Sequence, residues 1–352
     1  MRRLPSLDGL RAISITLVVA GHWVCVHYGF LLGMSYAVLG VRIFFVISGF
    51  LITSLLIREH SATSTINLKD FYMRRAYRIF PAALAFMLPV FVLYWNQLRW
   101  YDMAAAALYL ANFDPSRPWF LGHLWSLAVE EQFYFAWPGV LKRWYQRRVG
   151  ILVGVIALVP FYRLTCYALK LPHAATESFP AVADNLAIGC VLAIIAPGVP
   201  KIKPWLAALM VLSIVAVPMY PQSTRLHTLV LLFLLWPLLQ LSIAGVLLHV
   251  VQSPYRVLNL GPVVWLGKIS YSLYLWQQLF DYSPRNLPWY EQFLAVGLAC
   301  LSYYLVEQPM LRLRERRSRR GSTQLANQTA SGQVSATYLE SPLPDLPRRP
   351  ML

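Results

Sequence analysis

The sequence predicts an all-α polytopic membrane protein with about ten transmembrane helices and a basic, polar tail. Three observations lead there. Of 352 residues, 58% are hydrophobic and 13% are charged, against about 25% charged in soluble domains. Apolar runs long enough to cross a bilayer, about 20 residues each, recur from residue 10 to residue 311. Lys and Arg gather in alternate connections, the pattern that sets membrane topology. The net charge of +16 is thereby assigned to topology, and nucleic acid is not an expected partner.

The spans are placed at 10–30, 36–57, 79–97, 119–141, 149–169, 179–197, 204–220, 226–250, 260–280 and 290–311. Arg2 and Arg3 precede the first run, as in a signal peptide. The run continues through Val26 without a good small-residue cleavage site, so it reads as an uncleaved first span. Tyr101–Phe113 is apolar but too short to cross, and is expected as an interfacial or half-buried helix on the outer side. With the N-terminus inside, the inner connections carry Arg58, Lys69, Arg74, Arg75 and Arg78, then Lys142, Arg143, Arg147 and Arg148, then Lys201, Lys203 and Arg256. The outer ones carry only Arg99, Arg117, Lys170, Arg225 and Arg285. An even number of spans returns the C-terminus to the cytoplasm.

Residues 1–311 therefore read as one membrane domain and 312–352 as a cytoplasmic tail. From Arg312 the tail holds eight Arg against Glu315, Glu340 and Asp345, a net +5. Its low apolar content predicts disorder, and its basic start suits an anionic lipid surface or a stop-transfer anchor. It is too short and too polar to form a further domain. No inverted repeat of the transporter type is visible. The four cysteines lie in or beside apolar runs without CxxC or Cys/His metal spacing. They read as small buried hydrophobes, and no metal site is expected.

Ionisable residues inside spans are expensive and point to function. Arg11 and His22 lie eleven residues apart on the first span, almost three turns, so they share a face with roughly 16 Å between them. Arg11 could simply snorkel at the inner boundary. His22 is well inside the hydrocarbon, where a neutral imidazole can act as a general base. In GVRIFFVISGFLI, Gly40, Ser48 and Gly49 offer close-packing positions, and Arg42 could snorkel outward. In FYMRRAYRIFP, Arg74, Arg75 and Arg78 would form one basic face of a short amphipathic helix at the inner surface. Such a face can bind phosphate or merely record topology. In HLWSLAVEEQFYFAWP, His123, Leu127, Glu130 and Tyr134 lie close to one helical face, and the adjacent Glu130 and Glu131 need partners. Asp184 and Glu307 stand near span ends, as pairing or helix-end residues.

These segments together resemble the acyltransferase-3 family of integral membrane acyltransferases. The resemblance rests on LDGLRAISITLVVAGH with its Arg-x10-His, GVRIFFVISGFLIT, FYMRRAYRIFP with the Arg-x-x-Arg of Arg75 and Arg78, HLWSLAVEEQFYFAWP, ADNLAIGC, LGKISYSLYLW and SYYLVEQP, in that order over residues 4–315. It implies a ten-helix core in the bacterial inner membrane. It also implies transfer of a non-amino-acyl group, commonly acetyl, from cytoplasmic acyl-CoA (acetyl-CoA by default) to a hydroxyl of a glycan or lipid-linked oligosaccharide. His22 takes the place of the family's essential histidine, with Arg11 as its partner. Arg75 and Arg78, beside Arg74, match the donor-binding loop, and Glu130 and Glu131 match the acidic pair. His123, Ser48, Asp184 and Glu307 are expected to support the site. One departure stands out: Gln277 follows SYSLYLW where the family often has His, and glutamine cannot serve as a base near neutral pH. The rival reading is a transporter or flippase in which the same buried charges line a solute path.

Overall fold

The computed structural model describes residues 5–29, 31–220, 224–280 and 289–316. Among them no strand occurs, and the chain is an all-α polytopic membrane protein. In chain order the helices are α1 (Pro5–Tyr28), α2 (Leu31–Thr63), α3 (Leu68–Tyr94), α4 (Trp100–Ala107), α5 (Leu124–Arg143), α6 (Arg148–Ala168), α7 (Pro172–Glu177), α8 (Phe179–Ile195), α9 (Pro204–Ala216), α10 (Arg225–Val230), α11 (Trp236–Gln252), α12 (Gly261–Phe280) and α13 (Gln292–Leu301). A π-helical turn, Leu231–Leu235, joins α10 to α11, and another, Ser302–Glu307, continues α13.

The ten expected spans map onto these helices, two of them, 226–250 and 290–311, through the π-helical turns. Seven are long and apolar enough to cross a membrane. The other three expected spans are α5, α9 and α12. Helix α5 carries Glu130, Glu131, Lys142 and Arg143, and α9 reaches membrane length only with the short turn after it, as Pro204–Met219. The expected interfacial segment is a short helix, α4, followed by a single 3-10 turn at Ala111–Phe113. The tail beyond residue 316 lies outside the described residues.

One expectation needs correction. FYMRRAYRIFP is not a separate amphipathic helix but the opening of α3, a continuous helix of 27 residues. Asn67 caps it by accepting from the Asp70 amide at 3.1 Å, a contact worth about 1 kcal/mol. Pro81 lies inside the helix, so the apolar run beyond it extends the basic turns without a break.

The outward faces are apolar: Leu88, Phe91, Val92 and Leu93 of α3, Phe135 of α5 and Leu305 after α13 are all exposed. That surface suits lipid, because every helix satisfies its own backbone. Between helices the bundle relies on close backbone approach rather than on apolar burial alone, since lipid tails are as apolar as Leu. At the crossing of α2 and α8, a Cβ on Gly49 would lie 2.1 Å from the Leu186 carbonyl oxygen, and one on Gly189 would lie 2.2 Å from that of Val46. The small-residue reading of Gly49 holds, whereas Ser48 faces away from this contact and into a pocket. The four cysteines are free, with Cys166 and Cys190 buried.

Overpacking such a contact typically costs about 1–3 kcal/mol. Gly49→Ala is therefore expected to lower the melting temperature of the detergent-purified chain. Gly154→Ala, at a position with nothing within 4 Å, is the matched control and is expected to melt with the wild type.

Candidate functional site

Among the described residues, two cavities in the bundle hold most of the expected site residues. The first is narrow, about 80 Å³, and lies toward the end where α1 begins. Arg11 of α1, Ser48 of α2, Arg75 and Arg78 of α3, and Glu130, Glu131 and Tyr134 of α5 line it. Three guanidiniums against two carboxylates give these walls a formal charge of 3 − 2 = +1. The second is a wide cleft of about 590 Å³ toward the other end of α1. His22, Arg42, Arg117, Trp119, His123, Arg163 and Trp236 are among its walls. Val41, Phe45 and Tyr274 line both cavities and form the wall between them.

The narrow pocket is ordered by one of its carboxylates, Glu130, while Glu131 Oε1 is buried without a hydrogen-bond partner. Glu130 accepts hydrogen bonds from the Ser48 and Tyr134 hydroxyls. Arg75 stacks over Tyr134, its guanidinium carbon 4.4 Å from the ring centroid, so the cation is held against an aromatic face. Arg11 lies within electrostatic range of Arg78, Tyr134 and Glu130. Glu307 accepts from Ser272 Oγ at 3.2 Å and interacts with Arg78 and Arg11 from behind the pocket. Arg74 points elsewhere and pairs with Glu59 at 3.1 Å. The three arginines therefore do not form a single face. Neighbouring residues on a helix stand about 100° apart, and only Arg75 and Arg78 reach the pocket.

His22 is buried at the edge of the wide cleft. Its Nδ1 is 3.0 Å from Gln277 Oε1. In the neutral ring, Nδ1 donating to this amide oxygen leaves Nε2 with its lone pair. Gln277 itself is fully buried. The position that departs from the family's common histidine thus becomes the residue that sets the tautomer of His22. Trp119 meets the imidazole edge-on at a centroid distance of 5.9 Å.

The dividing wall is fastened by a polar chain. Tyr274 Oη lies 2.5 Å from Ser126 Oγ and donates to the His123 carbonyl at 3.0 Å. Gln278 Oε1 accepts from the His123 amide at 2.7 Å. His123 was grouped with Glu130 and Tyr134 from helical spacing, but they serve different cavities. Seven residues along a helix span about 10 Å, enough to put His123 beside the cleft and Glu130 beside the pocket. The carboxylates accordingly neighbour Arg11 rather than His22. Asp184, expected as a pairing or helix-end residue, is the former: it is buried and paired with Arg163 at 2.9 Å. No cluster of three or more His, Cys, Asp or Glu that could hold a metal occurs among the described residues.

A loop between α3 and α5 borders the wide cleft with Pro115, Arg117, Trp119, Gly122 and His123. Arg117 donates to the Gly122 carbonyl at 3.0 Å and the Asp114 carbonyl at 2.7 Å, and pairs with Glu177. Arg99 ties the start of α4 to the loop through Asp102, Asp114 and Ser116.

A family model described as an acyltransferase domain matches residues 4–306. The chain belongs to the acyltransferase-3 family. A Staphylococcus aureus (strain COL) protein provisionally named an O-acetyltransferase is 30% identical over 88% of this chain and 57% of its own length. The O-acetyltransferase OatA of Staphylococcus aureus (strain NCTC 8325) matches at 30% over 88% of the chain and 57% of its length. The peptidoglycan O-acetyltransferase OatA of Listeria monocytogenes is 30% identical over 78% of this chain and 48% of its length. The chain thus spans about half the length of the curated relatives it matches. No solved structure matches it.

Sequence reasoning missed several residues. Arg163 sits inside the fifth expected span, and an arginine there was itself the signal. Gln277 was noted only as a loss. Tyr274 and Ser126 carried no signal, because their roles depend on which helices meet.

The loop yields a pH-dependent expectation. Burial alone would raise the Asp102 carboxyl, but hydrogen bonds from the Arg99 guanidinium and amide hold it below its usual value. A depressed folded pKa stabilises above the unfolded value, near 4, and that stabilisation is lost as pH falls through the folded one. Asp102→Asn is expected to speed hydrogen exchange of residues 100–116 at pH 7. The gap to wild type should shrink in acid below about pH 4.

Proposed function

We propose that the chain transfers a short acyl group, acetyl by default, from acyl-CoA to a hydroxyl of a glycan or lipid-linked oligosaccharide. It would do so as a multi-pass protein of the bacterial inner membrane with both termini cytoplasmic. The observation that carries this reading is the pair of cavities on either side of one wall, with a cationic pocket below and His22 Nε2 above. Family membership, the O-acetyltransferase names of the relatives and the distribution of basic residues support it.

Arg75 and Arg78 receive the CoA phosphates at the narrow pocket, and Arg74 stays with Glu59 at its rim. The pantetheine arm runs toward Val41, Phe45 and Tyr274 and carries the thioester between these side chains into the cleft beside His22. The acceptor enters the wide cleft from the opposite side. His22 Nε2 takes the proton of the acceptor hydroxyl as its oxygen attacks the thioester carbonyl. The C–S bond breaks, the acyl group stays on the acceptor oxygen, and the proton passes from imidazolium to the departing CoA thiolate. Base assistance of this kind is worth about 10²–10⁴-fold. Gln277 holds the ring in the competent tautomer. Arg11 acts through charge and position, held with Glu130 and Glu131 on the donor side. Ser48 and Glu307 brace those groups, while His123 and Asp184 brace the acceptor side.

Two variants test the division of labour. His22→Ala is expected to abolish acetyl-CoA-dependent acylation while leaving acetyl-CoA binding and detergent melting close to wild type. Full turnover in a folded His22→Ala chain would remove the base assignment. Arg75→Ala and Arg78→Ala should each weaken acetyl-CoA binding, and the loss should narrow as salt is raised, because screening weakens the wild-type contact as well. Unchanged affinity at low salt would return these arginines to topology signalling. Failure to bind acetyl-CoA at all would favour the transporter reading.

A further inference from the structure

The far wall of the wide cleft holds an arrangement that base catalysis does not need. Arg42 of α2 and Arg163 of α6 both lie over the indole of Trp236 at the start of α11, each guanidinium carbon 4.4 Å from the ring centroid. The two cations are therefore at most about 8.8 Å apart, twice 4.4 Å. Arg163 is 1% exposed. Its Nε donates to the Ala181 carbonyl at 2.6 Å and its Nη2 to Asp184 at 2.9 Å. Its Nη1 is buried without a hydrogen-bond partner. Asp184 Oδ1 also accepts from the Asn185 amide and side chain, each at 2.9 Å, so that carboxylate is already engaged. The acid on the cleft wall, Glu177, pairs with Arg117 and lies 3.5 Å from His173. Arg42 lines the open cleft, and among the described residues no carboxylate forms an ion pair with it.

Two guanidiniums within this distance repel each other, and the carboxylate beside them, Asp184, is paired with Arg163 and not with Arg42. An aromatic face offsets only part of that repulsion. What completes the site is an oxyanion: a forked guanidinium matches a carboxylate or phosphate. The same cleft holds His22, so an anion bound there belongs to the molecule whose hydroxyl reaches the base.

We propose that Arg42 and Arg163, set on Trp236, form a subsite for an acidic group carried by the acceptor. This deepens, and rests on, the assignment of the wide cleft to the acceptor. The acid can be a carboxylate on the sugar or a phosphate attached to it, and both offer the same oxyanion chemistry.

The test uses the full chain purified in detergent and three probes: N-acetylglucosamine, N-acetylmuramic acid and N-acetylglucosamine 1-phosphate. Affinity is read by quenching of tryptophan fluorescence. At least one acidic probe is expected to bind about tenfold tighter than the neutral sugar at low salt, the scale of a charge-assisted contact. A preference for the muramic acid marks a sugar carboxylate, and one for the 1-phosphate marks a phosphate. Arg42→Gln should reduce the preference to less than about threefold, and Arg42→Lys should recover part of it. Melting curves confirm that both variants fold. Equal binding of all three probes, binding of none, or an undiminished preference in folded Arg42→Gln overturns the proposal. Acetyl-CoA turnover of the wild type is measured separately. If turnover is absent while acid selection persists, the acyl-transfer reading fails and the subsite stands.

Discussion

The hydrogen bond between His22 on α1 and Gln277 on α12 is the constraint around which the interior is arranged. An imidazole in an apolar bundle carries one donor and one acceptor, and an unmet buried polar atom costs about 1–3 kcal/mol. Gln277 takes the donor, at 3.0 Å. In the neutral ring that leaves Nε2 as the acceptor nitrogen, while the Gln277 amide nitrogen stays buried without a partner. It also locks α1 against α12, whose close approach is visible at Gly267, where a Cβ would lie 1.8 Å from the Asp8 carbonyl oxygen. Packing and tautomer are thus two consequences of one crossing.

From that crossing the two cavities follow. Tyr274, one turn before Gln277, faces both cavities and is tied to Ser126 and to the His123 backbone. The wall is therefore built from the same helix that orients the histidine. Charge is sorted on either side of it. Arg11, Arg75, Arg78, Glu130 and Glu131 share the narrow pocket, and Arg42, Arg117, Arg163 and Glu177 line the cleft. Each cavity is left cationic by its own wall, which suits two anionic ligands approaching from opposite ends.

The all-α membrane frame was legible in the sequence because span length and charge asymmetry are strong one-dimensional signals, and among the described residues seven helices are long and apolar enough to cross. Gly49 and Gly189 were less so. The first was seen as a packing residue, but its partner depends on which helices cross. The Arg74, Arg75 and Arg78 cluster shows the limit of helical-wheel reasoning: three close neighbours looked like one face, and Glu59 drew one of them aside. The acidic pair needs partners by sequence and finds Arg11 in the narrow pocket, although sequence spacing on α1 does not say how far along α5 the opposing residues sit. Arg163 was visible as a charge in a span and was passed over. Gln277 could not have been assigned its role from sequence, since its partner is 255 positions away.

The central claim is that His22 is the base between a donor pocket and an acceptor cleft. The most direct measurement is mass spectrometry of surface glycans and lipids from cells carrying wild-type chain, His22→Ala chain at matched abundance, or no chain. One acyl mass increment on a glycan hydroxyl is expected in the first sample and is expected to be absent from the other two. An increment that persists with His22→Ala, or that does not depend on the chain at all, contradicts the claim.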